Sequence, residues 1–177
     1  MAYAQHDLDF NSDIFLMRLD GSQAPINLTR HPDNDEHPRF SADGRLLVFT
    51  SERKAEAYDI MVVALDAEYD GLLDADQETY HEEAKKAAAD RDHQEATPNV
   101  WSWSLDDAWL RLRRLTTLEG DETRPWMTPG GEAVVFQGSG SNSGLHRIDW
   151  KGENRTKIGT GSVQGFSTDG KRLLRVD

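Results

Sequence analysis

The chain is 177 residues long, room for one domain of ordinary size, and its 37% hydrophobic content supports a packed core. Basic side chains number 20 and acidic ones 32, leaving a formal charge of −12. That balance argues against a nucleic-acid backbone or an anionic membrane surface as partner, since both attract a positive footprint.

Cysteine is absent, which excludes disulfides and thiolate metal sites. No apolar run reaches the ~18 residues of a membrane span. The opening residues Met1 to Asp7 carry neither a basic region nor an apolar one, so the expectation is a soluble chain without a signal peptide. The compartment itself is left open.

In chain order, a short strand around Tyr3 is followed by an apolar strand from Asp13 to Asp20 and a weaker one from Ile26 to Thr29. A hairpin comes next, over residues 37–49, with its turn closed by Gly44. The same hairpin text recurs over 124–136 around Gly131 and over 163–175 around Gly170. Glycine suits a short turn that needs positive φ. Ser41, Thr128 and Ser167 begin these turns, where a short hydroxyl bonds the local backbone.

The strand from Asp59 to Asp66 repeats the one from Asp13, and Ser143 to Asp149 repeats it again; Leu112 to Thr116 and Arg155 to Ile158 match Ile26 to Thr29. Four strand types recurring in one order with a period of ~40 residues describe the blades of a β-propeller. The fold class is therefore all-β, built of four-stranded antiparallel blades. Residues 1–30 hold the second to fourth strands of a first blade and 35–117 a second blade with an insertion at 67–100. Residues 121–160 hold a third blade, and 162–177 the first two strands of a further one. The expectation is part of a propeller, about three blades.

The insertion is charged, with ten Asp and Glu in 67–99 against Lys85, Lys86 and Arg91. It reads as a short surface helix over 77–92 or a disordered segment, and removing 68–98 is expected to leave the blade core folded. Trp101, Trp103 and Trp109 are expected to pack its stem against the blade. Asp74, Asp76 and Glu78 begin like a calcium loop but lack the glycine and final glutamate of one. No Gly-x-Ser-x-Gly nucleophile turn occurs, the histidines show no metal spacing, and no cofactor is implied.

The blade text of Asn27-Leu28-Thr29, Pro38 to Phe49 and Asp59 to Asp66 resembles the TolB-like, WD-repeat-like β-propellers. The insertion after Asp66, with the return through Leu110 to Thr116, is most similar to the propellers of tricorn-like serine peptidases. The resemblance implies a non-catalytic scaffold or protein- or peptide-binding module belonging to a larger protein, with any catalytic residues elsewhere and export of that parent an open question. An alternative is a propeller that gates substrate for a peptidase domain; another is a self-assembling propeller segment without a ligand.

In such folds the first strand of each blade lines the channel. Alternation along it makes His37, Arg39, Arg124 and Trp126 the channel-side candidates, in loops whose acidic residues (Asp33, Asp35, Glu36, Glu119, Asp121, Glu122) suggest a wet funnel. Relatives close with six blades, so the expected partner is a second copy completing a six-bladed ring as a homodimer, or a complementary propeller segment.

Overall fold

The turn hydroxyls are the local device on which the hairpins depend. Ser41 Oγ accepts from Leu46 N at 3.0 Å, Thr128 Oγ1 from Ala133 N at 3.0 Å and Ser167 Oγ from Arg172 N at 2.9 Å. In each turn the closing glycine donates its N–H to the carbonyl of that same Ser or Thr. Gly44, Gly131 and Gly170 take φ of 78°, 72° and 68°, the left-handed region that a Cβ disfavours.

A computed structural model describes residues 1–53, 57–90, 103–167 and 169–176. Its strands form four antiparallel sheets. The first holds β1 (Ala2–His6), β2 (Ser12–Leu16) and β3 (Ile26–Asn27). The second runs β4 (Asp35–Phe40), β5 (Leu46–Ser51), β6 (Asp59–Ala64), β7 (Leu112–Arg114). The third runs β8 (Glu122–Met127), β9 (Ala133–Gly138), β10 (Gly144–Asp149), β11 (Thr156–Gly159). The last is the hairpin β12 (Ser162–Phe166) and β13 (Leu173–Val176). Successive sheets stack face to face, as propeller blades do, so the middle strands are covered on both sides. All six residues of β5 and of β6 are buried, which is why they read as continuous apolar runs.

Two clusters fill the joints between blades. Ile14, Leu16 and Leu28 of the first blade meet Leu47, Phe49 and Val63 of the second. Leu46, Val48, Ile60 and Val62 of the second meet Val134 and Phe136 of the third.

The blade repeat also places a carboxylate at each joint. Asp35, which is 0% exposed, accepts from Arg53 Nη2 at 2.6 Å, and the same nitrogen donates to Thr29 O of the first blade. Glu122 holds the matching position in the third blade and is also 0% exposed, but the groups beside its carboxylate are Thr116, the Leu118 backbone and Asp59 rather than an arginine. Burial pushes its pKa up to about 7, and the neighbouring Asp59 carboxylate adds to the rise. Asp59 is itself raised by burial, against the opposing pull of Arg114, which donates to its Oδ1 at 2.7 Å. These two acids correct the expectation of a wet acidic funnel: Asp35 and Glu122 belong to the blade joints, not to the solvent.

The insertion is more than a solvated face. Helix α1 (Ala67–Asp70) is capped by Asp66, whose carboxylate accepts from Glu68 N at 2.9 Å. Tyr69 enters the second cluster at 2% exposure, with Tyr80 packed against it. Helix α2 (Asp74–Asp90) buries His81 and Ala88. His81 Nδ1 lies 3.0 Å from Gly130 O and Nε2 lies 2.9 Å from the Tyr69 hydroxyl. A carbonyl only accepts, so Nδ1 carries the proton and Nε2 receives the tyrosine O–H, a neutral ring. Burial lowers the His81 pKa, which favours that state.

Removing residues 68–98 would take Tyr69, Tyr80 and His81 out of the packing between second and third blades, so the deletion is not neutral to the core. The stem tryptophans divide. Trp103 stacks on Phe40 at 5.7 Å and donates to Gly44 O at 3.0 Å, whereas Trp109 is 47% exposed; Trp101 lies outside the described residues.

Candidate functional site

Two inner strands, β4 and β8, carry the sequence candidates, and both are bulged. Pairing with the neighbouring strand slips between Glu36 and Arg39 and again between Thr123 and Trp126. His37 and Arg124 sit at the slips with φ of 55° and 53°, each followed by a proline. A bulge bends its strand and re-aims the residues around it, so simple alternation fails here. The outcome is that both His37 and Arg124 are exposed. His37 Nδ1 stands 3.8 Å from Glu36 Oε2, an ion pair only when the ring is protonated.

Beyond the slips, the other two candidates meet. The Arg39 guanidinium carbon lies 4.2 Å from the centroid of the Trp126 ring, a distance at which the cation is attracted by the π face. Both line a cavity of about 480 Å³ together with Pro38, Phe40, Met127 and Phe166. His37 and Arg124 do not line it. The structure therefore brings Arg39 and Trp126 into one place and leaves His37 and Arg124 apart at the bulges.

Phe40, Met127 and Phe166 went unremarked as site residues in the sequence, although one signal marked them. Each is the last residue of its inner strand, in the same position of the repeat. Apolar residues at that position converge where the inner strands end. The resulting chemistry is an apolar floor under a single guanidinium, suited to an aromatic or aliphatic side chain with a carboxylate nearby. Among the described residues, no group of three or more His, Asp or Glu is placed to hold a metal ion. No helix of the described residues is long and apolar enough to cross a membrane.

Comparison with solved structures identifies the fold. A protein assigned as TolB from Agrobacterium tumefaciens superposes with a TM-score of 0.59 at 18% identity, over 99% of this chain and 55% of that one. TolB from Acinetobacter baumannii gives 0.59 at 16% identity over 98% of this chain and 33% of that one. The tricorn protease gives 0.61 at 14% identity over 99% of this chain and 18% of that one. The chain thus spans about half the length of the first of these and less of the others, and has the architecture of part of a β-propeller. No family model matches the sequence, and no curated protein does.

Proposed function

We propose that this chain is a non-catalytic β-propeller module that binds a protein or peptide segment at its inner strands. The observation that carries the reading is the Arg39–Trp126 pair at the apolar cavity of about 480 Å³. The cavity accepts an apolar side chain, and Arg39 supplies the charge that would orient an acidic group or a peptide carboxylate beside it. His37 and Arg124, exposed at the two bulges, extend the polar rim of the same inner strands.

A second reading has the same site filter peptides for a peptidase domain elsewhere in a longer protein; the likeness to the tricorn protease supports it. Peptide-display panning against the immobilised chain tests the first reading. Enriched peptides are expected to carry an apolar residue next to an acid or a free carboxylate, and to lose about tenfold in affinity against Arg39→Ala or Trp126→Leu. Peptides that bind both variants undiminished would place the site elsewhere.

A further inference from the structure

Helix α2 bridges two blades and is fastened to them by adjacent residues. The Tyr80 hydroxyl donates to Asp43 Oδ2 in the turn between β4 and β5. His81 Nδ1 donates to Gly130 O in the matching turn between β8 and β9, at 3.0 Å. The second turn is shaped for the helix: a Cβ on Gly130 would stand 2.7 Å from Lys85 Cβ and 2.8 Å from its Cα. Of the 17 residues of α2 only His81 and Ala88 are buried, so its seating depends on few contacts.

The two fastened turns also wall the cavity of about 480 Å³. Ala42 and Pro129 line it beside Phe40 and Met127, and each directly precedes an anchor point, Asp43 or Gly130. The seat of α2 and the shape of the cavity are thereby joined through one peptide unit at each turn.

The His81 ring is seated for one charge state. Its Nε2 accepts from the Tyr69 hydroxyl of α1 at 2.9 Å, and Tyr69 is 2% exposed. Trp150 packs on the imidazole at 4.9 Å and carries the Lys151 amino group 5.0 Å from its own ring centroid. A second proton would fall on Nε2, turn that acceptor into a donor and leave the buried tyrosine O–H without its partner. Burial is the largest influence on the ring and lowers its pKa below the ordinary 6.5. The Gly130 carbonyl and the carboxylates of Glu132 and Asp43 pull the other way, and Arg113 of β7 reinforces the lowering. The seated ring is therefore neutral above pH 6.5, and the seat is lost as pH falls through the lowered value.

We propose that α2 is an acid-released strap: protonation of His81 frees the helix from the second and third blades while the blades stay folded. Tyr69 belongs to α1 and keeps its place in the core when α2 leaves. The turns bearing Ala42 and Pro129 lose their outer support, so the cavity loosens; this last step rests on the reading of that cavity as a peptide site.

Hydrogen exchange of the full chain, read by mass spectrometry from pH 7.5 to 4.5 and corrected for intrinsic rates, follows the helix without any ligand. Peptides from residues 74–90 are expected to exchange about tenfold faster at the acid end, the effect of one pH unit of linkage, while β5 and β6 stay protected. His81→Phe should abolish the step, and Asp43→Asn, which keeps an acceptor for Tyr80, should retain it. Gly130→Ala should give fast exchange of α2 at every pH. A helix equally protected throughout, a step that survives in His81→Phe or vanishes in Asp43→Asn, or loss of protection in β5 and β6 together with α2 would each overturn the strap. A peptide enriched by panning at pH 7.5 should bind the parent about tenfold more weakly at the acid end than it binds His81→Phe there. Equal weakening in both proteins would overturn the coupling to the cavity and leave the strap standing.

Discussion

At the joint between the first and second blades, the buried Asp35 is neutralised by Arg53, which also holds the carbonyl of Thr29 across the joint. At the next joint the matching residue is Glu122, with Gly140 where the second blade has Arg53, and its carboxylate faces Asp59 instead of a cation of its own. The position in the repeat is the same. What differs is how a carboxylate is made tolerable inside: by an arginine in one joint, by a proton in the other. A cation works at any ordinary pH, whereas a proton works only below the pKa it is held at.

The largest effect should come from removing the cation. Arg53→Ala leaves Asp35 buried and unpaired, and thermal or urea unfolding should register a loss of about 3–5 kcal/mol. An unchanged midpoint would show that the first joint does not depend on the pair.

The second joint should respond to pH. The folded pKa of Glu122, about 7, lies above its ordinary value near 4.5, so folding takes up a proton between these values. The stabilising contribution is full below pH 4.5 and lost as pH rises through 7, on the order of 3 kcal/mol at 1.4 per unit. Glu122→Gln should remove this slope and leave the variant more stable than the parent at pH 8. Urea titrations of both proteins from pH 5 to 8 check it, and parallel slopes would refute it.

His81 tests whether the inserted helix fastens the second joint. Its pKa is lowered by burial, so its contribution is present above the ordinary value near 6.5 and lost as pH falls through the folded one, the opposite sense to Glu122. His81→Phe keeps a ring but strands Gly130 O and the Tyr69 hydroxyl, a loss of about 2 kcal/mol. It should also flatten the acid limb of the stability curve.

The smallest effect sharpens the contrast by being the same on both sides. Ser41→Ala and Thr128→Ala each remove the hydroxyl that accepts from the returning strand, at about 1 kcal/mol apiece. Equal losses would show that the turns are interchangeable between blades while the joints are not.

Much of this architecture could be read along the chain because its causes are local. The turns around Gly44, Gly131 and Gly170 and the apolar strands after them repeat as text, and a short hairpin depends on residues a few places apart. Arg39 and Trp126 were legible as inner-strand residues for the same reason. Their contact was not, because it arises only after two bulges shift the register of two strands in different blades. The fate of the insertion was hidden for a related reason: α2 has no long apolar stripe, and it is held by a few residues such as His81 whose partners lie on another blade.

By itself, the sequence determined the blades, through recurring apolar strands, hydroxyl-capped turns and glycines at positive φ, all set by short-range sterics and hydrogen bonds. Only the tertiary structure decided which carboxylates are buried, which of them meets a cation, and which apolar faces stay open. Charge and burial depend on what stands opposite across a joint. Asp35 and Glu122 look alike in the chain; Arg53 reaches Asp35 within its own blade, whereas Asp59 comes to face Glu122 only when the blades are stacked.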